Sequence, residues 1–301
     1  MSTFVLLTIS GLGIGALYFL IASGLSLIYG LMGVLNFAHG ALLTIGTYGS
    51  WWIEQQLGIE AVWPAFLLAA LCGVLFAGLC AALIEVVLIR PLYRRHIEQL
   101  LVTVGLALAL VALIEAIWGS TQQQYRVPPG LYGTTDVLGA HIANNTFVEI
   151  GCAIAVLVGL LAFLRYTRYG LIIRAGVENR AMVTALGIDV KKAFTLVFAL
   201  GGLAAGVAGV LSGVHYGAID PNQGTSLLIF AFIVVVIGGL GSIVGSAVAA
   251  VVVGLLQSYA NYYGGSHLDV SWLGDIGVML LLAAVLLLRP AGLGGHTTRL
   301  A

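Results

Sequence analysis

The sequence predicts an all-α polytopic membrane protein, one transmembrane domain over residues 1–301 with eight or nine transmembrane helices. Three observations carry that prediction. Of 301 residues, 60% are hydrophobic and only 8% are charged, whereas soluble domains carry about 25% charge to meet water. The apolar runs are continuous and reach the roughly 20 residues that a membrane helix needs, unlike the short alternating segments of a barrel. All six prolines fall at the ends of these runs or between them, as expected if an interior proline would remove a backbone donor and clash with the preceding turn.

Taken in order, the spans are predicted at about 4–29, 37–53, 62–89, 100–118, 147–164, 193–216, 225–240, 243–263 and 272–288. The stretches 37–53 and 225–240 are short and begin in polar, glycine-containing sequence, so each is a candidate for a re-entrant or broken helix. Two connections are long: 119–146, polar and predicted to face outward, and 165–192, predicted to face the cytoplasm. No Lys or Arg precedes Arg90, so the N-terminus is not expected to be a cleaved signal peptide.

Sidedness follows from charge. Eleven of the twelve basic residues lie in three patches, Arg90/Arg94/Arg95, Arg165/Arg168/Arg174/Arg180/Lys191/Lys192 and Arg289/Arg299, which the positive-inside rule places in the cytoplasm. Arg126, in the 119–146 loop, is the exception. The five tryptophans (Trp51, Trp52, Trp63, Trp118, Trp272) sit at the opposite ends of the spans, where indole rings favour the headgroup level. If all nine spans cross, the N-terminus faces out and the C-terminus faces the cytoplasm.

Several functions lack their motifs. Zero formal net charge argues against nucleic acid as a partner. There is no GxxxxGK[ST] phosphate cradle, no HExxH and no GxSxG elbow, so no enzymatic role is expected. Cys72, Cys80 and Cys152 lie inside apolar runs, without metal-ligand spacing, and read as small hydrophobes. His96, His141, His215, His267 and His296 are scattered at loops or span ends and suggest no metal site. Glu85 and Glu115 lie near span ends, where a carboxylate can reach the interface, and no carboxylate sits at mid-span, the usual placement in a proton-driven carrier.

Four constellations remain. In Tyr29–Gly40, Asn36 and His39 interrupt an apolar stretch flanked by glycines. One reading is a helix break whose amides and dipole end meet a polar solute; the other is a turn whose polar side chains satisfy local backbone. In 165–192, residues 176–187 read as a short helix capped by Gly187, with Asp189 as the N-cap of the next span. That segment is either a docking element or a basic anchor at the headgroups. Gly202/Gly206 and Gly209/Gly213/Gly217 recur at four-residue spacing, as do Gly11/Gly15, which predicts close helix packing. Asp220–Ser226 parallels the Asn36–Gly40 break, either as a pseudo-symmetric repeat or as an outer turn capped by Asp220.

Asn36-Phe37-Ala38-His39-Gly40, following a Gly/Ser-rich first span and followed by Thr44, Gly46 and Tyr48, resembles the signature of the branched-chain amino acid ABC transporter permeases, in particular the LivH-type subunit. Further blocks agree in order: Tyr169–Ala175 with Glu178–Ala181 and Ala185–Ile188; Gly238–Ser242 with Gly245; and Arg289–Gly294. The resemblance spans nearly the whole chain. It implies one permease domain in the bacterial cytoplasmic (inner) membrane, forming the pathway for branched-chain amino acids or for related small polar solutes such as amides or urea. It implies, as partners, a second homologous permease, two ATP-binding subunits, an extracytoplasmic solute-binding protein and membrane lipid. ATP would be used on the partner subunits, with no cofactor or metal on this chain. It places Asn36, Phe37, His39, Gly40 and Thr44 in the pathway or its gate. It places Arg174, Glu178, Asn179, Ala185, Leu186 and Gly187 in coupling to the ATPase, and leaves Gly202, Gly206, Gly209 and Gly213 to helix packing. The alternative is a self-sufficient secondary carrier or channel for a small polar solute.

Overall fold

In a computed structural model, residues 2–33, 35–93, 95–175, 190–267, 269–270 and 272–294 are described. Their helices are α1 (Ser2–Met32), α2 (His39–Gln56), α3 (Val62–Ile84), α4 (His96–Trp118), α5 (Pro129–Tyr132), α6 (Asn144–Tyr166), α7 (168–175), α8 (Val190–Tyr216), α9 (Gln223–Gly238), α10 (Ile243–His267) and α11 (Leu273–Leu288). Each predicted span overlaps one of these helices, the span 62–89 running on past the end of α3. Six of these stretches are long and apolar enough to cross a bilayer, while α9 and α11 are shorter apolar helices.

Four short strands complete the described chain: β1 (Gln123–Gln124), β2 (Thr134–Val137), β3 (Ala140–Ala143) and β4 (Ala218–Ile219). β2 and β3 form an antiparallel hairpin pairing Thr134 with Ala143 and Val137 with Ala140. Its two-residue turn, Leu138-Gly139, has positive φ at both positions, the twist that a tight hairpin requires. β1 pairs with β4 and ties the polar loop after α4 to the end of α8.

α1 is the central helix. Leu20, Ile21 and Ala22 are all fully buried, so it is enclosed on every side, as its uniformly apolar sequence requires. Glycines make the enclosure possible. A Cβ on Gly15 would meet the Ala250 carbonyl oxygen of α10 at 2.6 Å, and one on Gly24 the Gly201 carbonyl oxygen of α8 at 2.7 Å. Small residues at such crossings let backbones approach within van der Waals contact. At the rim, Leu67, Leu71, Leu75, Leu79 and Leu83 form an exposed stripe along α3, an apolar face at the four-residue spacing of one helix side.

The bundle has two distinct ends. α3 and α8 run antiparallel, so the C-terminal turn of α3 meets the N-terminal turns of α8 through Glu85 and Thr195. Arg90, Arg95, Lys191 and Lys192 belong to this basic end. At the other end Trp51 donates from Nε1 to the Gln124 carbonyl oxygen at 3.0 Å, and Trp118 packs against Tyr48.

Glu85 departs from expectation. The sequence places it where a carboxylate reaches the interface, but it is fully buried. Thr195 Oγ1 donates to its Oε2 at 2.6 Å and Arg90 Nη2 at 3.1 Å, while the Tyr93 hydroxyl donates to Oε1. The helix around it widens to a π-turn over Glu85–Ile89 before a 3-10 turn at Arg90–Leu92. Pro91 accounts for the change: its ring lacks a donor and crowds the carbonyl four residues back, so the ladder loosens in the preceding turn.

Gly206 of α8 has no room for a side chain, since a Cβ there would meet Val74 Cα at 2.9 Å and Ala77 Cβ at 3.0 Å. Gly206→Leu is expected to cost about 1–3 kcal/mol through overpacking, read as a lower thermal midpoint of the detergent-purified protein. Gly105→Leu, where a Cβ meets nothing within 4 Å, is the matched control and should leave the midpoint unchanged.

Candidate functional site

The chain leaves α1 at Met32 and turns at Gly33 with φ +67; residues 35–38 are not helical, and α2 begins at His39. That stretch climbs back along α1. His39 Nε2 lies 3.1 Å from the Ile21 carbonyl oxygen and donates to it. Ile21 is eleven residues before Met32, or about 16 Å at 1.5 Å per residue. α2 therefore starts deep inside the bundle.

α9 starts against it. A Cβ on Gly40 would meet the Gly224 carbonyl oxygen at 2.5 Å, and one on Gly224 would strike the Gly40 carbonyl oxygen and Thr44 Oγ1. The two polar turns that the sequence places on opposite sides thus lead into helix starts that touch. The reason is the link between α1 and α2, non-helical over 35–38, which carries the start of α2 away from the basic end.

The residues singled out here are all at this crossing. Asn36, His39 and Thr44 are buried. Asn36 Oδ1 accepts from the Ala38 backbone N–H at 3.1 Å, while Asn36 Nδ2 and His39 Nδ1 have no partner among the described residues. Thr44 Oγ1 lies 3.4 Å from the Gly40 carbonyl oxygen. Phe37 packs against Phe232 of α9, ring centroids 6.4 Å apart. First-turn N–H groups lack intrahelical acceptors, and two helix starts in one place concentrate such donors and two positive dipole ends. Polar or anionic groups are the chemical match to this arrangement.

A cavity lies on each side of the first turns of α9. One, about 180 Å³, is walled by Leu25, Leu35, Phe37, Leu228 and Phe232, with Asn36 at its edge. The other, about 550 Å³, has a mixed polar and apolar lining and lies toward the tryptophan end, between Tyr18, Asp220, Gln223, Phe230, Gln257 and Asp275. Its volume falls within the range of roughly 300–1,000 Å³ usual for small-molecule sites.

The glycines of α8 face different neighbours. Gly202 meets Ala77 and Ala81 of α3; Gly209 meets the Leu43 carbonyl oxygen and Thr47 of α2; Gly213 meets the Tyr125 ring. Tyr125, in the loop after α4, is buried and shares a 2.8 Å hydrogen bond with Ser50. Burial raises its phenol above the ordinary tyrosine range. Arg174 is exposed on α7 beside buried Ile173. Glu178, Asn179, Ala185, Leu186 and Gly187, with the short helix 176–187 and the Asp189 cap, lie outside the described residues.

Sequence reasoning passed over two groups. Glu149, in the second turn of α6, is fully buried; it accepts from His215 Nδ1 at 2.9 Å and from Asn145 Nδ2 at 3.1 Å. His215 is thus not an isolated span-end histidine. The signal was present, an acid just inside one span and a histidine in the last turn of another, but only the fold pairs residues 66 apart. The second is the chain Tyr18–Gln257–Asp275, in which the Tyr18 hydroxyl donates to Gln257 Oε1 and Gln257 Nε2 donates to Asp275 Oδ1, each at 2.7 Å.

Comparison with known proteins gives a consistent family. The model for the branched-chain amino acid transport system permease component matches residues 7–288. The high-affinity branched-chain amino acid transport permease LivH of Salmonella typhimurium is 30% identical, over 95% of this chain and 94% of its own. LivH of Escherichia coli is 31% identical with the same coverage, and BraD of Pseudomonas aeruginosa is 31% identical over 96% and 94%.

The crossing yields a prediction. Gly40→Ala places a methyl group against the Gly224 carbonyl and is expected to lower transport by the assembled transporter by about tenfold or more. Gly105→Ala should leave it unchanged. Uptake of labelled solute into proteoliposomes, normalised to correctly folded protein by gel filtration, decides the matter.

Proposed function

Because the chain belongs to the branched-chain amino acid transport permease family, we propose that it is the membrane subunit of an ABC importer for branched-chain amino acids. The observation that carries this reading is the family match over residues 7–288. The crossing of α2 and α9, which puts helix starts and buried polar groups inside an apolar bundle, supports it.

On this reading the chain pairs with a second homologous permease, two ATP-binding subunits and an extracytoplasmic solute-binding protein. It lies in the cytoplasmic (inner) membrane with its basic end and C-terminus inside and its tryptophan end outside, as the positive-inside rule directs. Eight or nine helices cross, according to whether α2 or α9, both of which start within the bundle, is a re-entrant half-helix. Asn36, Phe37, His39, Gly40 and Thr44 form the gate of the pathway, where α9 moves against α2 as access alternates. Segment 165–192 docks on the ATPase through Arg174, Glu178, Asn179, Ala185, Leu186 and Gly187. No catalytic step is assigned to this chain.

Transmission runs through α8. Its first turns follow the docking segment and are clamped to α3 by Glu85 and Thr195, and further along it touches α1 at Gly24 and α2 at Gly46. Closure of the ATPase would therefore reach the crossing through a continuous helix.

Reconstitution tests the proposal. The complete transporter should accumulate L-leucine in proteoliposomes only with ATP, and the chain alone should move none. Leu186→Asp should abolish the ATP-driven uptake. Accumulation of leucine by the chain alone would establish the carrier reading instead, and unimpaired uptake with Leu186→Asp would remove the docking assignment.

A further inference from the structure

We propose that the 550 Å³ cavity at the tryptophan end is a binding site for zwitterionic amino acids, in which Asp275 receives the solute's ammonium group. The inference rests on the importer reading and sharpens it, because it separates amino acids from the neutral amides and urea that the sequence resemblance names as related solutes.

Asp275 sits in the first turn of α11, where a carboxylate is favoured by the helix dipole. A chain of buried groups holds it in place. Gln257 of α10 donates to its Oδ1, and Tyr18 of α1 donates in turn to Gln257. Tyr18 and Gln257 are only 4% and 7% exposed, so the carboxylate is aimed by three helices rather than left to swing in water. Among the described residues no Lys, Arg or His forms an ion pair with it, and none lines the cavity. A carboxylate fixed in a cavity at the membrane edge without a counter-ion is matched by a ligand that brings one.

The remaining lining fits the rest of an amino acid. Gln223 and Ser226 bring the first turn of α9 into the wall, and the Gln223 side-chain amide supplies N–H donors for a carboxylate. The lining also holds Leu227 and the stacked pair Tyr18 and Phe230, with centroids 5.0 Å apart. These offer apolar surface to an aliphatic side chain and a π-face to an ammonium group. Urea or a simple amide would use neither the uncompensated carboxylate nor the apolar wall. The same first turns of α9 continue into the Gly40–Gly224 contact, so a solute bound here rests against the gate.

The test uses the complete transporter in proteoliposomes, supplied with leucine-loaded binding protein at saturating concentration. Asp275→Asn keeps an acceptor for Gln257 and removes only the charge. It is expected to lower the maximal rate of ATP-driven L-leucine uptake by about tenfold or more, the usual worth of a charge-assisted hydrogen bond. The binding-protein concentration for half-maximal uptake should stay unchanged, and Asp275→Glu should recover a substantial part of the rate. Uptake within twofold of wild type in Asp275→Asn would overturn the inference and leave the importer reading standing. So would a loss that appears as weaker binding-protein docking, or an equal loss in Asp275→Glu, which would mark a packing role. A wild-type transporter that carries no leucine would overturn the importer reading and this inference together.

Discussion

The contact between Gly40 and Gly224 is the constraint on which the rest of the structure depends. In a bilayer every backbone polar group must find a partner within the protein, yet here two helices begin inside the bundle, each leaving first-turn donors without intrahelical acceptors. The arrangement holds because acceptors are delivered to it. Asn36 Oδ1 takes the Ala38 N–H, Asn36 and Asp220 backbone carbonyls take the His39 and Gln223 N–H groups at 3.2 and 3.1 Å, and Asp220 Oδ1 takes the Asn222 N–H. Two positive dipole ends in one place oppose each other. Their repulsion is offset by the packing of α2 and α9 against α1 and α8, and it falls further when an anionic group lies nearby.

That constraint explains where the small residues go. Gly24 yields space to the His39 ring, a Cβ there falling 2.8 Å from Cε1, and Gly206 yields space to Gly46. A bulky residue at either position would push α2 off its start and part it from α9. Leucine, by contrast, gathers where nothing must approach, as along the exposed face of α3. The division between glycine-lined centre and leucine-faced rim is thus a map of which helices must touch.

The sequence disclosed the architecture and concealed the pairings. Apolar runs and the placement of six prolines located the helices to within a few residues, because length and proline chemistry act locally. The glycine spacing of α8 announced close packing, but its neighbours are three different elements, which no spacing can specify. Gly40 and Gly224 look alike as polar turns before short apolar runs, and that likeness was legible. Their contact was not, since it depends on the path of the irregular link between α1 and α2, which has no periodic signature. Glu85 was misplaced for a related reason: its depth is set by a π-turn forced by Pro91 and by Thr195 more than a hundred residues away.

The buried ionisable groups bear on what drives transport. Among the described residues, the buried carboxylates and histidine are His39, Glu54, Glu85 and Glu149. Glu85 and Glu149 both rest on α8, through Thr195 and His215. Those residues are twenty apart, or about 30 Å along the helix. His39 lies between, against Gly24 of α1, whereas Glu149 lies against Gly13; eleven residues of helix, about 16 Å, separate the two. A proton passes between groups in hydrogen-bond contact, at roughly 3 Å, so these side chains form separate stations rather than a relay. Two of them are also committed: Glu85 to Arg90 and Thr195, Glu149 to His215 and Asn145. Glu85 and Glu149 thus act as fasteners at the two ends of α8, and on the importer reading the work of opening the crossing between them comes from the ATP-binding subunits.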